Sequence, residues 1–155
     1  MTKTNAIRIL EANDIVVLTS TYEFDENNLD AIDAAKKIGV EPERVFKTLV
    51  TSGDRTGTTV FCIPSNFELD LKKAAKASGN KKVEMVKVKD LFDLTGYVRG
   101  GCSPVGMKKK YPAFIDETST LFDTIYVSAG QRGLQLNIRP EDLKKIVDAV
   151  FCDLI

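Results

Sequence analysis

Two neighbouring strand patterns joined by a turn constrain the fold of this chain more than any other feature. Residues 45–50 and 58–63 are rich in β-branched and aromatic side chains, and a polar, glycine-containing link over residues 52–57 separates them. Two such runs with a turn-forming link predict an antiparallel hairpin. Pro64 should end the second strand, because proline cannot donate to the ladder. A sheet built on this hairpin cannot be wholly parallel.

The other patterns predict short helices mixed with further short strands. Helices are expected over residues 5–13, 30–38, 70–78, 89–94 and 140–151, and further strands over residues 15–18, 83–86, 113–116, 124–128 and 134–138. Strand and helix do not alternate in the regular way of a doubly wound parallel sheet. The predicted fold class is therefore α+β, with a mixed, mostly antiparallel sheet of about six or seven strands surrounded by about five helices.

The last helix has the clearest pattern. Pro140 suits the first helical position, and the two acidic residues after it suit the positive end of the helix dipole. Apolar residues then recur at the helical spacing i, i+3, i+4, i+7 and i+8, at Leu143, Ile146, Val147, Val150 and Phe151. The pattern predicts a helix that continues through Phe151.

Length and composition exclude several classes of protein. The 155 residues suit one globular domain over residues 1–155, and no apolar run approaches the roughly 18 residues that cross a bilayer. A signal-peptide pattern is missing and the three cysteines are scattered, so the expected location is the cytoplasm. Histidine is absent, which removes Ser-His and Cys-His nucleophile pairs and histidine metal sites. We expect no metal and no cofactor.

The formal net charge of zero is unevenly distributed along the chain. Residues 70–112 contain eleven basic and four acidic side chains, a net charge of +7, so the remainder carries −7. This asymmetry is typical of a surface that meets RNA or DNA phosphates. A solvated helix face next to a lysine-rich loop explains it equally well.

Lys47 interrupts the apolar pattern of the first hairpin strand. Because side chains alternate across a strand, Lys47 shares its face with Val45 and Leu49, where a buried surface is expected. On an edge strand, the lysine stem could cover apolar surface while its ammonium reaches water. The alternative is a partly desolvated cation in a cleft, available to an anionic or carbonyl-bearing substrate.

Two loops are further candidates for a site. Residues 95–106 hold four of the ten glycines, and glycines allow backbone N–H groups to face a phosphate or an oxyanion. This segment matches neither phosphate-binding fingerprint, so it could also be a plain connector. Cys102 within it is either an activated nucleophile or a small residue that fills space. The link 128–133 is either a site at a strand end or a hairpin turn, and Tyr22 is either a packing ring or a pocket hydroxyl.

Several motifs follow one another in a fixed order along nearly the whole chain. They are Phe46-Lys47-Thr48-Leu49-Val50, Leu69-Asp70-Leu71-Lys72-Lys73, Lys81-Lys82-Val83-Glu84-Met85, Thr95-Gly96-Tyr97, residues 100–109 and residues 127–133. Together they resemble the Cys-tRNA(Pro) deacylases of the YbaK/EbsC type, which are free-standing relatives of the editing insertion of bacterial prolyl-tRNA synthetase. The ordered set is more specific than any single motif, and it implies a YbaK-like fold.

The resemblance implies a trans-editing aminoacyl-tRNA deacylase, a hydrolase or lyase that removes cysteine wrongly attached to proline tRNA. In this family the protein supplies no nucleophile, because the thiol of the attached cysteine attacks its own ester carbonyl and releases a thiolactone. That account suits a chain without histidine. The implied partners are tRNA and prolyl-tRNA synthetase, with no membrane.

The resemblance also implies which residues form the site. Lys47 matches the essential residue of the family and is the expected catalytic residue. The expected substrate-binding residues are Tyr22, Thr48, Gly100, Gly101, Cys102, Ser103, Pro104, Ser128 and Gly130, and the lysines expected to meet tRNA are Lys72, Lys73, Lys108 and Lys109. Gln135 departs from the family pattern, because some relatives place an aspartate implicated in the site there, and its role stays open.

Three other functions stay open at this point. A noncatalytic tRNA-binding or regulatory protein on the same fold would bind charged tRNA without cleaving it. A Cys102 hydrolase of small thioesters or amides would lose its activity when Cys102 is replaced. A deacylase for alanine or another small misacylated amino acid would differ in pocket volume, which the sequence does not reveal.

Overall fold

The computed structural model describes residues 3–155, which form two sheets with helices around them. The strands are β1 (Leu18–Thr21), β2 (Phe46–Gly53), β3 (Gly57–Pro64), β4 (Val83–Met85), β5 (Ala113–Asp116), β6 (Ile125–Ser128), β7 (Leu134–Ile138) and β8 (Ala149–Cys152). The helices are α1 (Asn5–Ala12), α2 (Ala31–Ile38), α3 (Leu71–Ser78), α4 (Val88–Thr95) and α5 (Pro140–Val147), with 3-10 turns at Pro42–Arg44 and Glu117–Leu121.

The strand order is β4-β2-β3-β5-β8 in one sheet and β1-β7-β6 in the other. Among the strands of residues 3–155, the β3–β5 and β5–β8 pairs are parallel and the other pairs are antiparallel. The predicted α+β class with mixed, mostly antiparallel pairing is therefore confirmed. The residues described contain eight strands in two sheets, however, where the patterns predicted six or seven strands in one sheet. None of the helices in residues 3–155 has the length and apolar character that crossing a bilayer requires.

The predicted hairpin is confirmed as β2 and β3, which pair antiparallel over their whole length. Its turn is held by Asn80, whose Oδ1 accepts hydrogen bonds from the backbone N–H groups of Arg55 and Thr56 at 2.8 and 2.9 Å. On its other side, β2 meets β4 only over Thr51–Gly53. The first half of β2 is therefore paired with β3 on one side and has an open edge on the other.

The prediction of a C-terminal helix through Phe151 is wrong. The helix ends at Val147, Asp148 takes the left-handed conformation with φ 54°, and β8 follows at once. β8 pairs parallel with β5. Val150 and Phe151 fit the helical spacing, but adjacent residues also suit a strand, and the ladder of β5 supplies the hydrogen bonds that decide between the two. Asp116 then anchors the end of the chain, accepting a hydrogen bond from the Leu154 N–H at 2.9 Å.

The first strand also lies later in the chain than predicted. The pattern placed it over residues 15–18, whereas β1 begins at Leu18. Ile15 and Val17 lie in an irregular segment and pack against buried apolar residues of the core, while Val16 and Leu18 face solvent. The limits of β1 are set by its partner strand, because the chain forms a strand only over the residues that pair with β7.

The core lies on both faces of β3. Val60 and Cys62 belong to a cluster that includes α1, α5 and the apolar face of the three-stranded sheet. Phe61 and Ile63 point to the opposite face and pack with α3 in a second cluster. An isolated parallel bridge joins Val45, the residue just before β2, to Tyr126 of β6. The two sheets therefore meet beside the open edge of β2.

Candidate functional site

A cavity of about 490 Å³ lies where the two sheets meet. Five segments line it: Tyr22 just after β1, residues 46–49 of β2, the loop 27–31 with the first turn of α2, Arg99, Gly100 and Cys102 of the glycine-rich loop, and Ser128 and Gln135 of β6 and β7. Four consecutive residues of a strand cannot all point their side chains the same way. The cavity therefore meets β2 along its open edge, where β4 has already ended.

Lys47 lines this cavity and is half-buried. It lies opposite Ile63 in the β2–β3 ladder, so its stem shares a face with the second core cluster. Among residues 3–155, no hydrogen-bond or ion-pair partner is found for its ammonium. Both interpretations of Lys47 apply in part. Its stem covers apolar surface next to an open strand edge, as the first interpretation expects. Because that edge faces a cavity, its ammonium is also available to a ligand, as the second expects.

The glycine-rich loop approaches the cavity through close backbone contacts. Gly100 has φ +85°, and a Cβ atom there would lie 3.0 Å from Leu29, which belongs to the loop before α2. At Gly101 a Cβ atom would lie 2.9 Å from the backbone nitrogen of Arg132. The Tyr97 hydroxyl fixes the loop from inside by donating to the Val105 carbonyl at 2.6 Å. The glycines are therefore needed where the loop touches its neighbours.

Cys102 lines the cavity, and its surroundings keep its thiol neutral. Burial raises the pKa of Cys102 to about 11, and a side-chain hydrogen bond with Thr95 lowers it by less. Cys62 lies behind the wall, 3.9 Å from the Thr48 hydroxyl, and burial raises its pKa to about 12. Because the thiolate is the nucleophile, this environment disfavours a Cys102 hydrolase.

The three-stranded sheet presents its polar face to the cavity. Leu134 and Leu136 point into the core, so Gln135 between them points the other way. Gln135 lies directly between Ser20 of β1 and Ser128 of β6 in the two ladders. The Ser128 hydroxyl accepts a hydrogen bond from the Gly130 N–H at 3.2 Å.

Tyr22 is the residue just after β1, and it also lines the cavity. Its backbone N–H donates to the carbonyl of Gly133 at 3.0 Å. The turn between β6 and β7 therefore positions two predicted site residues, Tyr22 and Ser128. The link 128–133 is both a hairpin turn and a part of the site wall.

The structure brings together most, but not all, of the predicted site residues. Those that line the cavity are Tyr22, Lys47, Thr48, Gly100, Cys102 and Ser128. Gly101, Ser103 and Gly130 lie behind it in supporting positions. Ser103 is buried and accepts a hydrogen bond from the Val105 N–H, and Gly130 has φ +105° against the ring of Tyr97. Pro104 lines a separate cavity of about 260 Å³.

The four lysines predicted to meet tRNA lie outside the cavity lining. Lys73 is already paired, with Asp153 at 3.0 Å and with the terminal carbonyl of Ile155 at 2.6 Å. The Lys108 ammonium lies 4.9 Å from the centre of the Phe92 ring. Lys72 and Lys109 are exposed. Their proposed contact with tRNA stays a prediction.

Sequence reasoning missed the loop before α2. Asn27, Asn28, Leu29 and Asp30 form one wall of the cavity, and Asp30 also caps α2 by accepting a hydrogen bond from the Ile32 N–H at 3.0 Å. The sequence pattern placed Asp30 at the start of the helix over residues 30–38, but nothing local placed this loop opposite β2. Within the described part of the chain, no three Cys, Asp or Glu side chains are grouped closely enough to hold a metal ion.

Comparison with known proteins gives a consistent picture. The family model described as aminoacyl-tRNA editing domain matches residues 25–146. The EbsC protein of Enterococcus faecalis, named as a candidate Cys-tRNA(Pro)/Cys-tRNA(Cys) deacylase, is 47% identical over 152 residues, which cover 98% of this chain and 93% of EbsC.

Solved structures share the fold over its whole length. The crystal structure of a candidate trans-editing enzyme for prolyl-tRNA synthetase superposes with a TM-score of 0.85 at 25% identity, covering 99% of this chain and 98% of that one. The protein APE2540 superposes with a TM-score of 0.88 at 20% identity, covering 97% and 99% of the two chains. The second likeness concerns the fold alone.

Proposed function

The chain belongs to the aminoacyl-tRNA editing domain family, and we propose that it is a trans-editing deacylase that removes cysteine from mischarged Cys-tRNA(Pro). The observation that carries this proposal is the cavity that combines the unpaired cation of Lys47 with the glycine-rich loop and Ser128. The similarity to EbsC, over nearly the full length of both chains, supports the choice of substrate.

The cavity suits the end of an aminoacyl-tRNA. Its volume of about 490 Å³ falls in the range typical of small-ligand sites and leaves room for a cysteinyl group with part of the terminal adenosine. Its lining mixes hydroxyls, amides, the Asp30 carboxylate and the cations of Lys47 and Arg99 with the apolar side chains of Phe46 and Leu49. An ester with one small side chain and several polar groups matches such a lining.

The proposed chemistry needs no nucleophile from the protein. The thiol sulfur of the attached cysteine bonds to its own carbonyl carbon, the bond from that carbon to the ribose oxygen breaks, and the thiol proton ends on the ribose hydroxyl. The thiolactone released is then hydrolysed by water. Lys47 stabilises negative charge that develops on the ester oxygens, and the cavity holds sulfur and carbonyl close together. The high pKa of the Cys102 thiol fits a wall residue in this scheme.

The test is the loss of aminoacyl-tRNA charging over time, with Cys-tRNA(Pro), Cys-tRNA(Cys), Ala-tRNA(Pro) and Pro-tRNA(Pro) as substrates. The wild type should discharge Cys-tRNA(Pro) and spare Pro-tRNA(Pro). Replacing Lys47 by alanine should lower kcat/KM about a hundredfold or more, as expected for removal of a transition-state charge partner. Lys36→Ala is the matched control, because Lys36 is an exposed lysine outside the cavity lining.

The same assay separates the alternatives. Binding of charged tRNA without discharge would indicate a noncatalytic protein, and preferential discharge of Ala-tRNA(Pro) would change the misacyl group. Normal activity of Lys47→Ala would refute the role of the lysine. A partnership with prolyl-tRNA synthetase, which we also propose, predicts faster clearance of Cys-tRNA(Pro) when that synthetase is added.

A further inference from the structure

Gln135 carries a buried hydrogen-bonding atom that the fold leaves unused. The residue is 5% exposed and lines the same cavity as Lys47 and Ser128. Its amide oxygen, Oε1, has no hydrogen-bond partner among residues 3–155. Buried polar atoms in native proteins are nearly always paired, and leaving one unpaired costs free energy that folding alone does not recover. An unpaired amide in a cavity wall therefore indicates a ligand.

The backbone at Gln135 is fixed by its neighbours, so it cannot move to give the side-chain amide a partner. β7 is the central strand of its sheet, and Gln135 has Ser20 of β1 and Ser128 of β6 as its ladder partners on the two sides. Leu134 and Leu136 fix the strand from the opposite face, since both are buried in the core. A backbone shift is therefore ruled out, and rotation about the side-chain torsions is what turns the amide toward the cavity that Gln135 lines. The cavity is thus the place where a partner for Oε1 can arrive.

Resting on the proposed function, we infer that Gln135 positions the substrate by accepting a hydrogen bond from its α-amino group. An aminoacyl ester has few donors, namely the α-ammonium, the ribose hydroxyl and, in cysteine, a weak thiol donor. The ester carbonyl can only accept, so it suits Lys47 or loop N–H groups instead. The unpaired oxygen of Gln135 and the α-ammonium are complementary.

The experiment measures binding of stable amide-linked analogues of the tRNA end by calorimetry. The three compounds are cysteinyl-adenosine, alanyl-adenosine and 3-mercaptopropionyl-adenosine, each joined through a 3′-amide, and the last has the thiol but lacks the α-amino group. Gln135→Met, which has similar volume and no acceptor amide, should weaken the first two about tenfold or more. It should leave binding of the mercaptopropionyl compound unchanged within about twofold.

Each outcome has a definite meaning. Equal weakening of all three compounds, or of none, would overturn the role of Gln135 while leaving the deacylase proposal intact. Selective weakening of the two thiol-containing compounds would assign Gln135 to the sulfur and would also overturn it. If the wild type binds none of the compounds, the proposed function fails and this inference fails with it. A second variant, Gln135→Glu, keeps an acceptor oxygen at this position and should therefore retain alanyl-adenosine binding. Loss of that binding would overturn the role of Gln135 as an acceptor.

Discussion

Cys102 and Lys47 show how burial separates two residues that line one cavity. Lys47 keeps its stem on apolar surface and its ammonium unpaired among the residues described. Cys102 lies in the loop wall, and burial raises its pKa to about 11, so at neutral pH it is a thiol. Substrate-assisted chemistry needs a cation near the ester, which Lys47 at the open edge of β2 can provide, and it needs no thiolate from the protein, so a neutral Cys102 is compatible with it. A neutral thiol is not what a cysteine hydrolase needs, since its thiol must ionise.

The pKa of Cys102 leads to a prediction about alkylation. With a pKa of about 11 instead of the ordinary 9.0, the thiolate fraction at pH 8 falls about a hundredfold. Iodoacetamide should therefore modify Cys102 about a hundredfold more slowly in the native protein than in urea, and the native rate should rise with pH toward 11. Mass spectrometry of the Cys102 peptide over time measures this rate.

The control is Cys102→Ala, which should discharge Cys-tRNA(Pro) at close to the wild-type rate. Native alkylation at pH 8 as fast as in urea, together with an inactive Cys102→Ala variant, would restore the cysteine to a catalytic role.

Among the elements, the glycine-rich loop depends on the hairpin turn that it touches. Gly101 lies against the backbone of Gln131 and Arg132, and the Arg132 side chain donates from Nε to the Arg99 carbonyl at 2.9 Å. The same turn holds Tyr22 through the Gly133 carbonyl. A displacement of this contact would therefore move two walls of the cavity together.

Gly101→Ala tests this coupling. The added Cβ would lie 2.9 Å from backbone atoms, which cannot rotate away, so the loop must shift. We expect the free energy of unfolding to fall by about 1–3 kcal/mol and the activity of the remaining folded protein to fall as well. Urea unfolding and kcat/KM on Cys-tRNA(Pro) are the two measurements.

Gly39→Ala is the matched control for the loop variant. Gly39 ends α2 with φ +79° and open space around it, so alanine there costs about 1 kcal/mol through backbone strain alone. Its activity per folded molecule should be normal. Equal loss of activity in the two variants would mean that general destabilisation, rather than the contact at Gly101, limits the site.

On the scale of the whole molecule, the net charge is zero, but positive charge is concentrated in one segment of the chain and negative charge in the remainder. Residues 70–112 carry +7, and they extend through α3, β4, α4 and the glycine-rich loop. Three of these lysines form ion pairs within the protein: Lys73 with Asp153, Lys82 with Glu84 and Lys110 with Asp148. The lysines free to meet phosphates are therefore fewer than the sequence count suggests.

The salt dependence of tRNA binding tests this division. The affinity for Cys-tRNA(Pro), measured by fluorescence anisotropy, should fall steeply between about 50 and 200 mM salt, whereas binding of the cysteinyl-adenosine analogue, which has no phosphate, should change little. Lys109→Ala should reduce the slope of log affinity against log salt by about one. Lys73→Ala should mainly lower stability, because it removes a contact with the chain terminus. A salt slope near zero for the wild type would exclude the basic segment as the tRNA surface.

The sequence by itself determined the hairpin, the approximate positions of most helices and the α+β class. These features depend on local patterns: alternation in β2 and β3, a turn between them, and helices bounded by Asp30 with Gly39 and by Asp70 with Gly79. Lys47 was also visible in advance, because a charge on an apolar strand face conflicts with its local pattern. The ordered motifs then indicated the family.

Only the tertiary structure decided which faces meet. Val150 and Phe151 fit both a helix and a strand, and the ladder offered by β5 selected the strand. The loop before α2 became a cavity wall, Pro104 was left outside that cavity, and Gln135 gained a buried, unpaired oxygen. The physical reason is that local sequence sets the backbone period of each segment, whereas burial and hydrogen-bond partners are supplied by segments far away in the chain.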